Sequence, residues 1–148
     1  MIKVITDDIE KFAIELGQMS DTVRSDVQKV LKNTGFKIES KAKLNLNNNR
    51  SVKTGHLMRS ISTDVGNMEV TVHTSNVKYA RLVEEGTRPH VIRAKGKRAL
   101  YWKGARHPVR KVNHPGSRAK PYLIPAFESE KEGFIKELKK VIEWYVIK

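Results

Sequence analysis

The stretch LMRSISTDVGNMEVTVHT, residues 57–74, decides the fold class of this 148-residue chain. Its second half, Glu69–Thr74, alternates apolar and polar residues with a period of two, which is the pattern of a half-buried strand. Gly66-Asn67 is a turn signal, and residues 57–65 before it form a second candidate strand. The stretch therefore predicts an antiparallel hairpin in the middle of the chain.

Two helices are predicted before the hairpin. The first runs from an N-cap at Thr6 to a stop at Gly17. The second starts near Ser20 and ends at the polar run Asn47–Ser51. Gly35 weakens this helix and indicates either a bend or a close contact with another helix. The apolar stripe of the second helix consists of Val23, Val27, Val30, Leu31, Thr34, Ile38 and Ala42.

A last helix is predicted near the end of the chain. Pro121 and Pro125 bracket residues 122–124, which favours an extended or turn stretch leading into a helix. Ser129 and Glu132 match a capping box, so we expect the helix to begin at Ser129. Its apolar stripe is Phe134, Ile135, Leu138, Val141, Ile142 and Tyr145.

A strongly basic segment separates the hairpin from the last helix. A short helix over residues 78–85, ended by Gly86, precedes it. Residues 88–120 hold 11 of the chain's 29 Lys and Arg residues and none of its 16 Asp and Glu residues. Glycine-marked turns divide the segment, which predicts a long basic β-arm. Its β-prone pieces are 90–93, 99–102 and 108–112.

Helices, a central hairpin, a basic arm and a closing helix together predict an α+β fold. The length suits one domain, 1–148, from which residues 88–120 project as an arm or a long hairpin loop. The absence of cysteine excludes disulfide frameworks, thiolate metal sites and cysteine nucleophiles. No apolar run approaches the roughly 20 residues that span a bilayer, and no signal peptide is recognisable. We therefore expect a soluble protein that stays where it is made.

The sequence carries no strong catalytic signature. Phosphate-binding loops and the HExxH, GxSxG and EF-hand patterns do not occur. The five histidines follow one another at spacings of 17, 17, 17 and 7 residues, which fit no ligand motif. Glu84 and Glu85 diverge by about 100° on a helix, so they do not form a catalytic carboxylate pair. We expect no enzyme activity, no catalytic residue, no cofactor and no metal.

The basic segment is the best candidate for a binding surface, because Tyr101, Trp102 and Tyr122 are interleaved with its charges. Cationic grooves with aromatic platforms bind single-stranded nucleic acid, and a basic lining also suits duplex phosphates. The alternative is that the rings pack the arm onto the body while the cations reach solvent. The residues predicted to contact a partner or DNA are Arg88, Arg93, Lys95, Lys97, Arg98, Trp102, Lys103, Arg106, Arg110, Lys111, Arg118 and Lys120.

Three patches of sequence occur in a specific order. They are VKTGHLMRSI at 52–61, YARLVEEGT at 79–87, and HPG at 114–116 followed by AKPYLIPA at 119–126. The series resembles the tail-completion, or head–tail joining, proteins of long-tailed bacteriophages and prophages, also described as minor tail components. In that family "TGxLxxSI", "YAxxVExGT" and "HPGxxAxPFLxPA" recur as landmarks. The chain departs from the family at Tyr122, usually Phe, and at Glu85, often a large apolar residue.

The landmark residues have scaffold roles by their own chemistry. Gly55 can take the turn geometry before a strand, and Gly86 can end a helix in a left-handed conformation. Pro115-Gly116 is a strong turn signal. The structural motif residues are Thr54, Gly55, Leu57, Ser60, Ile61, Tyr79, Ala80, Glu84, Gly86, Thr87, His114, Pro115, Gly116, Pro121, Tyr122, Pro125 and Ala126.

The resemblance implies a structural virion protein of the phage neck. Copies would form a ring, six-fold by analogy, that takes part in tail completion and head–tail joining. Its partners would be neighbouring head-closure, tail-terminator or tail-tube proteins, with no membrane contact. The protein would be located in the virion, at the head–tail interface, after assembly in the host bacterial cytoplasm. The isolated subunit could be a monomer.

Two roles for the arm follow from the same resemblance. The arm would reach a neighbouring subunit or an acidic face of the next ring, which we favour, or it would line the channel through which DNA passes. A different class of protein, a non-specific nucleic-acid-binding module built on residues 88–120, is the alternative.

Overall fold

The computed structural model describes residues 20–51, 53–96 and 99–146. The helix predicted for residues 6–17 lies outside the described residues. Within the described ranges the chain forms four helices and four strands. In order these are α1 Asp21–Asn48, α2 His56–Ser60, β1 Ile61–Val65, β2 Val70–Thr74, α3 Ala80–Glu85, β3 His90–Arg93, β4 Lys111–His114 and α4 Leu123–Val146.

Helix α1 confirms the long helix predicted from the apolar stripe. Ser20 is its N-cap in an extended conformation. Asp21 lies in the first turn, where a negative charge suits the positive end of the helix dipole. After the last turn, the amide of Asn49 donates to the carbonyl of Asn45 at 2.9 Å. The buried residues of α1 are Val23, Val27, Thr34, Gly35, Ile38, Ala42 and Leu46.

Strands β1 and β2 form the predicted antiparallel hairpin. The register pairs Ile61 with Thr74 at the open end and Val65 with Val70 at the turn. Ile61 is 1% exposed, and it belongs to the apolar core. The hairpin packs against α1. On β1 only Ile61 is fully buried, and all five residues of β2 are half-buried.

The turn of the hairpin is held by α1. The amide of Gly66 donates to the carbonyl of Glu69 at 2.8 Å. The side chain of Gln28 on α1 donates to the Gly66 carbonyl at 2.7 Å and accepts from the Met68 amide at 2.8 Å. One amide side chain therefore satisfies two backbone groups that a four-residue turn leaves open.

The strand predicted over residues 57–65 is wrong in its first half. His56–Ser60 is the single helical turn α2, and β1 begins at Ile61. The residues before Ser60 are Leu, Met and Arg, which favour helix and lack the β-branching that favours a strand. The Ser60 hydroxyl donates to the carbonyl of Leu57 at 2.8 Å, which helps to close the turn.

The predicted start of the last helix is also wrong. Helix α4 begins at Leu123, so residues 122–124 are not an extended lead-in and Ser129 lies inside the helix. The Ser129 hydroxyl donates to the carbonyl of Ala126 at 2.8 Å instead of capping. Pro125 lies in the first turn, where a missing amide N–H costs no helical hydrogen bond. A side chain of α3 supplies the cap.

Helix α1 contacts both the hairpin and α4. The larger core cluster is Ile38, Ala42, Leu46, Leu57, Ile61, Val77, Ala80, Tyr122 and Ala126. A second cluster near the start of α1 is Val23 and Val27, packed with Leu31, Met68, Leu138, Val141 and Tyr145. Two ion pairs join the helices: Lys37 to Glu137 at 2.9 Å and Lys41 to Glu130 at 2.7 Å.

Gly35 lies where α1 crosses the hairpin. A Cβ atom on Gly35 would overlap Cγ1 of Val70 and lie 2.8 Å from Cγ2 of Thr63. The Thr63 hydroxyl contacts the Gly35 carbonyl at 3.3 Å and the carboxylate of Glu39 at 2.6 Å. The close contact expected at Gly35 therefore exists, but α1 makes it with a sheet and not with a helix.

The described part of the chain contains two long helices, two short ones, and two separate two-stranded sheets, β1–β2 and β3–β4. The α+β fold class is thereby confirmed.

Candidate partner-binding arm

A buried carboxylate joins the segment before the arm to the helix after it. Glu84 on α3 is 3% exposed and accepts three hydrogen bonds from consecutive amides, those of Tyr122 at 2.9 Å and of Leu123 and Ile124 at 3.0 Å. The first amides of a helix have no partner inside it, and the helix dipole favours negative charge there. Glu84 is therefore the cap of α4.

In the sequence, Glu84 is recognisable as a landmark residue but not as a helix cap. The sequence contains one indirect sign of this cap. The residue before α4 is Tyr122, whereas a locally capped helix would have Ser, Thr, Asp or Asn there. A helix without a local cap has to find its acceptor elsewhere.

Thr87 and Ser117 close the base of the arm. Their backbones exchange hydrogen bonds of 2.9 and 3.1 Å, and their hydroxyls lie 2.9 Å apart. Gly86 and Gly116 flank this pair with φ angles of +75° and +88°. A Cβ atom on Gly86 would lie 2.6 Å from the backbone nitrogen of Ala119. Only glycine fits where the backbones of residues 86 and 119 approach each other, because moving either backbone away would break the hydrogen bonds at the base of the arm.

Strands β3 and β4 continue the arm as an antiparallel ribbon. The register pairs His90 with His114, whose rings stack 5.0 Å apart, and Arg93 with Lys111. Directly opposite residues share a face, so Arg93 and Lys111 place two like charges together, which destabilises a hairpin. β4 covers Lys111–His114 and not the predicted 108–112, because the proline that opens that range has no amide N–H for a ladder.

The prediction of a strand over residues 99–102 is wrong. Only Leu100 pairs there, in an isolated bridge with Val109 that contains hydrogen bonds of 2.7 and 3.0 Å. The amide of Ala105 donates to the carbonyl of Trp102 at 2.9 Å. This tight turn takes the chain out of the extended conformation immediately after the bridge.

The arm cations that the structure describes are all exposed. They are Arg88, Arg93, Lys95, Lys103, Arg106, Arg110, Lys111, Arg118 and Lys120. The other two candidates, Lys97 and Arg98, lie outside the described residues. Among the described residues, no carboxylate forms an ion pair with any of these nine cations. Their charge is therefore available to a partner.

The three aromatic residues of the basic segment have different surroundings. Tyr101 and Trp102 lie in the loop beyond the Leu100 bridge and are 69% and 49% exposed. Tyr122 is 2% exposed and belongs to the core. Only Tyr122 packs onto the body, so the two distal rings are presented to solvent together with the cations.

The landmark residues of the three patches lie at turns, caps and core positions. Gly55 has a φ angle of +72° and precedes the helical turn α2, whereas a strand was expected after it. The amide of Gly116 donates to Nδ1 of His114 at 3.0 Å, which closes the predicted Pro115-Gly116 turn. The motif residues that are buried are Leu57, Ile61, Ala80, Glu84, Tyr122 and Ala126.

The burial of Tyr122 predicts a pH dependence. Burial and the nearby charge of Glu84 raise the pKa of Tyr122 from its ordinary value of 10.0 to about 12, against the opposing effect of a hydrogen bond with Thr74. Because the folded-state pKa is the higher one, this stabilisation is complete below pH 10 and is lost as the pH rises toward 12. We expect the free energy of unfolding to fall more steeply over this interval in the wild type than in Tyr122→Phe. Denaturant titrations at several pH values measure it, and parallel curves would contradict the prediction.

A shallow groove of about 600 Å³ lies between α1 and α4, away from the arm. It is lined by Asn33, Phe36, Lys37, Ser40, Lys41, Leu44 and Glu130. Its charged side chains already form ion pairs, Lys41 with Glu130 and Lys37 with Glu137. A ligand would therefore meet charges that are already neutralised, and the arm is the stronger candidate site.

The described residues contain no group of three or more His, Asp or Glu that could hold a metal ion. No helix in the described ranges is both long and apolar enough to cross a membrane.

Comparison with known families connects the fold to a biological setting. Residues 10–86 match the family model described as "Bacteriophage HK97-gp10, putative tail-component". The matched range is slightly more than half of the chain and ends at Gly86. It contains the first landmark patch and all of the second except Thr87, but not the third. No curated protein and no solved structure matches the chain. The resemblance to phage tail proteins is confirmed, and the chain belongs to the HK97-gp10-like family of bacteriophage tail components.

Proposed function

We propose that this protein is a structural component of the phage neck, where copies form a ring that joins the filled head to the tail. The match to a tail-component family over residues 10–86 carries the proposal. The positions of the landmark residues support it, since they close turns, cap a helix or fill the core. We propose on the same grounds that the protein acts by assembly and not as an enzyme.

A ring needs contacts between copies, and the body offers exposed apolar side chains for them. Phe36 and Leu44 on α1 are 45% and 55% exposed, and Ile124 and Ile135 on α4 are 45% and 41% exposed. Contiguous exposed apolar patches mark interaction surfaces, and Phe36 and Leu44 line the same groove. We propose a six-membered ring with head-closure, tail-terminator or tail-tube proteins as neighbours, assembled in the host bacterial cytoplasm and retained in the virion.

The arm gives each copy a contact element outside the body. Its base is held by the Thr87–Ser117 pair and by the Glu84 cap, so the ribbon starts from a fixed position on the core. Its nine described cations are exposed and free of ion pairs within the described chain. We propose that this arm completes the junction by binding an anionic partner at the ring.

Deletion of the gene from its phage or prophage tests the placement in the neck. Electron microscopy of the lysate is expected to show filled heads beside separate tails, because the two halves of the particle lack their joint. A plasmid copy of the wild-type gene should restore joined particles. Intact, tailed particles after deletion would contradict the proposed function.

Arm variants in the same complementation test ask whether the arm is needed. The triple variant Lys95→Glu/Lys97→Glu/Arg98→Glu is expected to leave heads and tails separate, because it turns attraction to an anionic partner into repulsion. The control Lys32→Glu/Lys139→Glu/Lys140→Glu makes the same change in net charge at exposed helical positions of the body. If the arm variant joins heads to tails as well as the wild type does, the arm is not needed for joining.

A further inference from the structure

The positive charge of the arm exceeds what another copy of the chain can neutralise. Six described carboxylates already have partners within the body. Five form ion pairs with Lys or Arg, namely Asp26, Glu39, Glu85, Glu130 and Glu137, and Asp64 contacts the ring of His73. Glu84 is buried as the cap of α4. The described carboxylates that remain are Asp21, Glu69, Glu128, Glu132 and Glu143.

These five carboxylates do not form one acidic face. They lie at the start of α1, in the turn of the first hairpin and along α4, and those on α4 alternate with Lys131, Lys136, Lys139 and Lys140. The residues before Ser20 contain four more carboxylates but also two lysines. A second copy therefore cannot match an 11-cation arm, and the counter-charge has to come from a different molecule.

The shape of the ribbon indicates which kind of anion fits it. All four residues of β3 are exposed, although successive side chains of a strand point to opposite faces. Neither face of β3 is thus covered by the body. A flat acidic protein surface would neutralise one face and leave the other open, whereas a groove can enclose both.

The major groove of duplex DNA has suitable dimensions and chemistry. It is about 12 Å wide and admits a two-stranded β-ribbon, with phosphates along both walls. Placing the ribbon there would also remove the repulsion between Arg93 and Lys111, because each cation would face a phosphate.

We propose that the β-ribbon formed by residues 87–96 and 99–117 binds duplex DNA through its phosphates, without sequence preference. This inference rests on the proposed function, since it names the acidic partner of the arm as the genome that passes the neck. Phosphate contacts position a protein but do not read sequence, which suits a component that meets any part of a genome.

Binding of the purified full chain to a short labelled duplex, followed by fluorescence anisotropy, tests the inference. The affinity is expected to fall by about a hundredfold or more between about 50 and 200 mM salt, because several phosphates are neutralised. A duplex of shuffled sequence should bind equally well. Absence of salt-dependent binding, or tighter binding to polyglutamate than to duplex, would overturn the inference and, in the second case, favour an acidic protein.

The variant Lys111→Glu separates DNA binding from arm stability. It gives Arg93 an opposite charge across the ribbon, so the arm is expected to be as well ordered as in the wild type or better. The affinity for duplex is nevertheless expected to fall about tenfold, with a salt dependence reduced by about one phosphate.

The control is Lys140→Glu, which makes the same change in net charge at an exposed position of α4. It is expected to change the affinity less than about twofold, because screening weakens the effect of a distant charge. Equal losses in the two variants would overturn the inference. The two proposals can fail separately. If the chain does not bind duplex DNA, the deletion is still expected to leave heads and tails separate. If the deletion gives intact particles, the placement in the neck is wrong, but a measured affinity for DNA still stands.

Discussion

Replacing Glu84 with alanine is expected to lower the free energy of unfolding by about 3 kcal/mol, which is a large effect for a single side chain. The carboxylate accepts hydrogen bonds from the amides of Tyr122, Leu123 and Ile124 at 2.9–3.0 Å. Alanine would leave the buried amide of Tyr122 and the part-buried amides of Leu123 and Ile124 without this acceptor, at the positive end of a 24-residue helix. Chemical denaturation of the two proteins measures the difference.

The neighbouring residue provides the matched control. Glu85 makes an exposed ion pair with Arg81 one turn away on α3, and Glu85→Ala is expected to cost less than about 0.5 kcal/mol. Glu84→Gln keeps one acceptor oxygen but loses the charge, so we expect an intermediate loss of about 1–2 kcal/mol. Hydrogen exchange should first accelerate at the amides of residues 122–124. Equal losses in the two alanine variants would show that the cap contributes nothing to stability.

Replacing Gly35 with alanine is expected to lower the free energy of unfolding by about 2 kcal/mol, although alanine normally stabilises a helix relative to glycine by up to about 1 kcal/mol. The new Cβ atom would overlap the side chain of Val70 and lie 2.8 Å from that of Thr63. The hairpin or α1 would have to move apart, and buried packing contacts would be lost.

Gly133 on α4 supplies the opposite result with the same substitution. Apart from the adjacent residues and the backbone of α4 itself, no atom lies within 4 Å of a Cβ built on Gly133, so Gly133→Ala is expected to raise the free energy of unfolding by up to about 1 kcal/mol. In the Gly35→Ala background, Val70→Ala should cost less than it does in the wild type, because it removes the overlapping methyl group. The same sign of change at both glycines would contradict the close approach of α1 to the hairpin.

Much of the fold was predictable because its elements have strong local patterns. The stripe from Val23 to Ala42 repeats at helical spacing, and α1 follows it with an N-cap at Ser20. The alternation in Glu69–Thr74 corresponds to β2, and the glycine after residues 78–85 ends α3. In each case the signal lies within the element itself, so neighbours along the chain are enough to recognise it.

Two starting points were predicted wrongly, for different physical reasons. At residues 57–60 the sequence suggested a strand, but good helix formers after Gly55 make a helical turn that buries Leu57. At α4 the local capping box at Ser129 was outcompeted by a cap from another part of the chain. The first error concerns a weak local preference, whereas the second could not be seen locally at all.

The sequence by itself determined the periodicities of the helices and the hairpin, the 11 uncompensated cations of residues 88–120, and the family landmarks. Those properties depend on residue type and spacing alone. Only the tertiary structure decided that Glu84 caps a helix beginning 39 residues later, that Gly35 meets Thr63 and Val70, and that Tyr101 and Trp102 face solvent while Tyr122 is buried. Such contacts join segments far apart in the chain, and a hydrogen bond or a close packing contact between them leaves no pattern in either segment alone.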